Sequence, residues 1–129
     1  LNPQKRATFS VEERQHMTRE ALSHLPNVRV SAFEGLLVDY LRQEQSRVII
    51  RGLRALSDFE YEFQLALMNR QLAPEIETLF IVTEAKYSYL SSHAVKDVFA
   101  FGGSVQDMVP PGVFRRLRER FPNPKREKS

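Results

Sequence analysis

Arg47-Val48-Ile49-Ile50-Arg51-Gly52-Leu53-Arg54 is the stretch on which the fold turns. A short, β-branched apolar run bounded by charge predicts a strand over Arg47 to Arg51. It leads straight into a glycine and a second arginine, and then into Leu56 to about Leu72, where Phe59, Phe63, Leu65, Ala66 and Met68 predict a long helix ended by Pro74. Thr78 to Thr83 predicts the next strand. Strand, helix and strand in this order make a parallel βαβ unit with a right-handed crossover, in which strands are expected to be buried on both faces. Ligands in such sheets bind beyond the carboxyl ends of the strands.

Outward from this unit the alternation continues. Upstream, Ser10-Val11-Glu12-Glu13 has the capping-box pattern and opens a helix expected to end near His24, before Pro26. Val28 to Phe33 predicts a short strand, and Gly35 to about Glu44 a helix carrying Leu36, Leu37, Tyr40 and Leu41. Downstream, a helix from about Ser91 to Phe101 stops at Gly102-Gly103, and Pro110-Pro111 introduces a last one carrying Val113, Phe114, Leu117 and Phe121. The expectation is one domain over residues 1–121 followed by a basic, disordered tail over 122–129. There is no internal repeat.

The composition narrows the function classes. At 129 residues and 42% hydrophobic, the chain can bury a core of ordinary size. It contains no cysteine, which excludes a disulfide framework, thiol chemistry and cysteine-ligated metal. No apolar stretch approaches a membrane span, and the first residues lack the apolar core of a signal peptide, so the expected compartment is the cytoplasm. The formal charge of +3 owes much to Arg115, Arg116, Arg118, Arg120, Lys125, Arg126 and Lys128. That clustering fits a solvated helix face with a tail, or a surface for a polyanion.

Two strand-to-helix junctions hold the candidate chemistry. At the first, Arg51 and Arg54 place two guanidinium forks around Gly52, a residue that lets backbone approach a ligand closely. Either they grip phosphate, or they pair with Asp58, Glu60 or Glu62 on the following turns. At the second, Glu84-Ala85-Lys86-Tyr87-Ser88-Tyr89-Leu90-Ser91-Ser92 gathers hydroxyls and helix-initial N–H groups, with Ser91 or Ser92 also suited to a plain N-cap. Together the junctions suit a polyanion such as a triphosphate. Lys5 could reach the same edge. His16, His24 and His93 are isolated, and no pair has metal-ligand spacing. With no nucleophile, base and orienting acid in sight, positioning and charge neutralisation fit better than covalent catalysis.

The run from Arg51 to Ala66, Arg-Gly-Leu-Arg-Ala-Leu-Ser-Asp-Phe-Glu-Tyr-Glu-Phe-Gln-Leu-Ala, closely resembles the signature of the phosphopantetheine adenylyltransferases. The likeness extends through Met68-Asn69-Arg70 and Ala73 to Thr78, and takes in Asn2-Pro3, Lys5, Phe9, Glu12 to Arg14, Phe33 to Leu37, Tyr87 to Ser92 and Gly102-Gly103. It implies a Rossmann-like nucleotidyltransferase fold, a parallel sheet with helices on both faces. It also implies an enzyme transferring the adenylyl group of ATP to 4′-phosphopantetheine, giving dephospho-coenzyme A and pyrophosphate with Mg2+. Carried over by position, Lys5, the backbone at Leu37, and Arg51 would hold phosphopantetheine, while Gly52, Leu53, Arg54, Glu62, Tyr87, Ser88, Tyr89, Leu90, Ser91, Ser92 and His93 would hold ATP. A homohexamer with feedback by coenzyme A is implied as well, with no nucleic-acid partner.

Two departures stand out. His93 occupies the place of a third serine in the later loop. The leading strand, glycine-containing loop and Thr/His-x-Gly-His motif of the family do not occur, since no histidine here follows a glycine. The chain is therefore expected to lack a leading segment of roughly thirty to forty residues, its strands Val28 to Phe33 and Arg47 to Arg51 to be unpaired with each other, and adenylyl transfer by this polypeptide alone to be small. The competing functions are a related nucleotidyltransferase with another phosphate acceptor, and a non-catalytic nucleic-acid-binding or interaction module.

Overall fold

The element order is α1 (Val11–Ala21), α2 (Leu37–Gln43), β1 (Val48–Leu53), α3 (Leu56–Leu72), β2 (Glu77–Val82), α4 (Ser92–Ala100) and α5 (Pro111–Arg120), with a 3-10 turn at Ala85–Tyr87. The computed structural model describes residues 7–122, which divide into two units, one of residues 33–89 and one of residues 7–32 with 90–122. Lys5 and the tail beyond Pro122 lie outside the described residues.

In the first unit β1 and β2 pair in parallel, with Val48 opposite Glu77, Ile50 opposite Leu79 and Leu53 opposite Val82. Helix α3 makes the crossover between them, which is the α/β arrangement the sequence predicts. Successive strand side chains point to opposite faces. One face of the pair therefore holds Ile49, Arg51, Leu53 and Phe80, and α3 packs there, with Phe59 meeting Phe80 edge-on at 6.1 Å between ring centroids. The core consists of Val38, Leu41, Ile49, Ala73 and Ile76, with Leu37 and Tyr40 against it. The other face carries Val48, Ile50, Leu79 and Ile81, all exposed. Burial of the strands on both faces is thus not observed, because the described elements of this unit cover one side only.

Several boundaries differ from the sequence reading, α1 ending at Ala21 and β2 spanning Glu77–Val82, and two of them do so for evident local reasons. Strand β1 runs on to Leu53, because Gly52 and Leu53 still have ladder partners in Ile81 and Val82. Helix α2 starts at Leu37 and not at Gly35, whose φ of 96° belongs to a turn.

The second unit contains α1, α4 and α5 around Phe99, Val105 and Leu117, with Met17 also buried. The capping box is present: the Glu13 N–H donates to Ser10 Oγ at 3.2 Å, and the Ser10 N–H donates to Glu13 Oε2 at 2.7 Å. Helix α4 ends in a Schellman motif, with the Gly103 N–H donating to the Val98 carbonyl at 2.8 Å and the Gly102 N–H to that of Phe99 at 3.0 Å. Gly102 has φ 79°. At Gly103 a Cβ would lie 2.6 Å from Val98 Cγ1 and 3.0 Å from the Val98 carbonyl oxygen, which the helix end holds in place. Gly103→Ala is accordingly expected to cost about 2 kcal/mol of stability by overpacking, measured as a lower urea midpoint at unchanged slope.

The strand expected over Val28 to Phe33 is absent. The Val28 N–H closes a turn on the Leu25 carbonyl at 3.2 Å, and Arg19 Nη2 donates to the Val30 carbonyl at 3.3 Å. Groups that a ladder would need are engaged locally, so β-propensity alone does not make a strand here. The expectation about its pairing with the strand after Arg47 has no strand to apply to.

Candidate active site

Strand alternation decides which side chains meet at the carboxyl end of β1. Arg51 lies on the face that α3 covers, and Glu62, on the second turn of α3, comes up against it. The guanidinium and carboxylate form a fork, with Nε donating to Oε2 and Nη2 to Oε1, both at 2.7 Å. The Glu62 side chain is only 14% exposed and that of Arg51 45%. This hydrogen-bonded pairing holds the Glu62 carboxyl below the usual glutamate range and raises Arg51, against the opposing pull of desolvation.

Arg54 follows the strand and is gripped by Asp58, one turn into α3. Its Nε donates to Asp58 Oδ2 at 3.0 Å, its Nη2 to Oδ1 at 3.3 Å, and its backbone N–H to Oδ2 at 3.3 Å. The Arg54 guanidinium lowers the Asp58 carboxyl from its ordinary value. Of the two possibilities left by spacing, the ion pairs are what the structure holds, formed with Asp58 and Glu62 and not with Glu60. Both arginines are thereby fixed at one end of the sheet with their charge only partly covered.

The pH dependence follows from the sign of these shifts. A carboxyl whose pKa is lowered by folding stabilises the fold above its unfolded value and loses that contribution as pH falls through the lowered folded value. Glu62→Gln is therefore expected to flatten the acid limb of stability against pH, checked by urea midpoints at stepwise lower pH. An unchanged acid limb would show that the fork contributes little to folding.

The strand ends are tied together by Thr83, whose N–H and Oγ1 both donate to the Leu53 carbonyl, at 2.9 and 3.2 Å. Gly52 sits inside the ladder, and a Cβ there would meet only Thr83 Cγ2, at an ordinary 3.7 Å. Packing among the described residues therefore does not require this glycine. Gly52→Ala is expected to leave the melting temperature unchanged or slightly higher. Thermal melting checks this.

The second junction divides between the units. Tyr87, Ser88 and Tyr89 belong to the first, where Ser88 Oγ donates to the Ala85 carbonyl at 2.8 Å and Lys86 lies 4.9 Å over the Tyr87 ring. Leu90, Ser91, Ser92 and His93 belong to the second. There Ser91 is the N-cap of α4, its Oγ accepting from the Ala94 N–H at 3.0 Å, and His93 Nε2 is 3.2 Å from Asp97 Oδ2. Leu37 opens α2, and its side chain packs against the core. Among the described residues no group of three or more His, Cys, Asp or Glu gathers as a metal site.

The model of the family described as cytidylyltransferase-like matches residues 2–98. The phosphopantetheine adenylyltransferase of Desulforudis audaxviator is 58% identical over 117 residues, covering 91% of this chain and 72% of that protein. That of Heliobacterium modesticaldum is 53% identical over 121 residues, covering 94% and 72%. The chain belongs to the phosphopantetheine adenylyltransferase family. A third member, from Clostridium tetani, is 50% identical over 123 residues, covering 95% and 77%. The basic C-terminal helix is partly engaged within the second unit. Arg115 pairs with Glu20 at 2.9 Å, Arg120 pairs with Glu13, and Arg118 lies 6.0 Å over the Phe114 ring. Arg115 and Arg120 are thus engaged by acids of α1, which weighs against those two serving a polyanion surface.

Reading the sequence missed the part played by Thr83 and the full grip of Asp58. A signal for the second exists: Ala55, at the N-cap of α3, has no capping side chain, and an acid stands three residues after it.

Proposed function

We propose that this chain binds ATP and 4′-phosphopantetheine and transfers the adenylyl group, giving dephospho-coenzyme A and pyrophosphate in coenzyme A biosynthesis. The observation that supports it most is the kinship of 50% to 58% identity with phosphopantetheine adenylyltransferases over more than nine-tenths of the chain. The cluster at the end of β1 fits that reading. An oxygen of the acceptor's phosphate attacks the α-phosphorus of ATP in line, the bond from that phosphorus to the α,β-bridging oxygen breaks, and pyrophosphate leaves with its electron pair. Such a reaction needs little covalent help from protein. It needs anions brought together against their repulsion and a leaving group whose growing charge is met by cations.

In this reading Lys5, the backbone at Leu37, and Arg51 hold the acceptor. Gly52, Leu53 and Arg54 with Glu62 hold ATP, Arg54 lying along the β- and γ-phosphates, and Tyr87 to His93 complete the nucleotide side. Arg51 engages Glu62 through Nε and Nη2 only, which leaves its Nη1 edge for phosphate. Mg2+ would arrive on the triphosphate and neutralise its charge. That suits a cation that keeps waters and takes its ligands mainly from substrate phosphates.

A cytoplasmic location, a homohexamer and feedback by coenzyme A belong to the same proposal. Assembly finds support in α3, whose apolar residues are spread around the helix among polar ones and of which none is buried: Leu56 is 85% exposed and Tyr61 62%. Coenzyme A combines a pantetheine arm with an adenine nucleotide and so matches both halves of the site. Calorimetric titration tests the core of the reading. ATP and 4′-phosphopantetheine should each bind and CTP should not. Binding of CTP in preference to ATP would favour another nucleotidyltransferase, and binding of neither substrate would overturn the proposal.

A further inference from the structure

We infer that Asp58 is a positioning residue for the nucleotide half of the site, setting the aim of Arg54 through simultaneous contacts to its side chain and its backbone. This rests on the reading that Arg54 meets ATP phosphates.

The local chemistry of the α3 N-terminus explains why an acid is needed. The first N–H groups of a helix lack intrahelical acceptors and are usually served by a capping side chain. Ala55 offers none. In a capping box the acid at the third helical position reaches back to the N–H of the N-cap. Here Asp58 occupies that position, and besides the Ala55 N–H, which helps lower its carboxyl, it reaches one residue further, to the Arg54 N–H at 3.3 Å. The same carboxylate accepts from Arg54 Nε at 3.0 Å and Nη2 at 3.3 Å. One side chain therefore fixes both the backbone direction and the guanidinium plane of the residue that follows β1. Its negative charge is also favoured where it sits, in the first turn of a helix.

Two effects of removing that charge oppose each other. Neutralising Asp58 makes the locale more positive, which attracts a triphosphate. It also removes one restraint on an arginine whose planar fork is useful only when aimed. The charge gain is partly screened, since the Asp58 side chain is 28% exposed. The orientation loss is bounded by the rotamer freedom of arginine, a ceiling of roughly thirtyfold in affinity. Orientation is the larger effect.

The experiment is a double-mutant cycle on the chain, read by calorimetric titration with ATP and separately with 4′-phosphopantetheine. Asp58→Asn is expected to weaken ATP binding about tenfold and to leave phosphopantetheine binding within about twofold. In an Arg54→Ala background the same change should cost nothing further. Unchanged or tighter ATP binding by Asp58→Asn, while Arg54→Ala weakens it, would overturn the positioning role. An equal loss with Arg54 present or absent would do the same, marking Asp58 as merely structural. No loss from Arg54→Ala itself would instead remove the phosphate reading of Arg54. If Asp58→Asn does not fold, Asp58→Ser carries the same test, since its hydroxyl can still accept from the Arg54 N–H.

Discussion

Arg51→Ala is expected to weaken 4′-phosphopantetheine binding about a hundredfold, as befits the loss of charge-assisted hydrogen bonds to phosphate in a partly covered site. Two losses combine. The guanidinium that would face the acceptor's phosphate disappears, and the Glu62 carboxylate, only 14% exposed, is left without its fork partner. An uncompensated carboxylate repels an incoming phosphate. Arg51→Lys separates these contributions, because it keeps the charge but cannot form the two parallel bonds, and about tenfold weakening is expected. Glu62→Gln keeps the shape while removing the repulsion. ATP binding should move less in Arg51→Ala, since Arg54 and Asp58 are undisturbed and only Glu62 on the nucleotide side loses its partner. Calorimetric titration of both ligands checks the pattern. Acceptor binding unchanged in Arg51→Ala would mean that the fork to Glu62 is a structural ion pair and nothing more.

Ile76→Ala is expected to destabilise the first unit by about 3 kcal/mol, in the middle of the range for truncating a buried isoleucine. Ile76 is 2% exposed and bridges α3 to β2, its N–H donating to the Ala73 carbonyl at 3.0 Å. Among the described residues, the buried core it belongs to has four other members, Val38, Leu41, Ile49 and Ala73. With so few apolar groups to collapse into the space, most of the cavity remains. Folded domains are stable by about 5–15 kcal/mol, so the loss is a large share of the whole. Urea unfolding measures it, with Val82→Ala as control, since Val82 is 78% exposed and should cost under about 0.5 kcal/mol. Equal midpoints for the two variants would show that this core does not hold the unit together.

Much of this was legible in residue order, and the exceptions have physical causes. Helix α3 matches its predicted span from Leu56 to Leu72, because a long apolar stretch ended by proline admits few other readings. The capping box at Ser10 and the double glycine at 102–103 also appear as read, since both are local chemistry. Val28 to Phe33 did not, because a strand exists only with a partner and that segment's groups are engaged in turns and by Arg19. The arginines at 51 and 54 were identified as the place of interest, but their partners were not settled by spacing. Glu62 rather than Glu60 meets Arg51 because strand alternation turns Arg51 toward α3, a fact of tertiary packing. The later loop was read as one cluster, whereas its residues belong to two units.

The two-stranded ladder leaves each strand with one flank of backbone donors and acceptors that no other described strand takes up. Beside those flanks lie Val48, Ile50, Leu79 and Ile81, bare to water. Such a surface recruits further extended segments edge to edge, and nothing in its sequence blunts it with proline or lysine. During purification the polypeptide should therefore lose monodispersity as concentration rises, even while each unit keeps its own core.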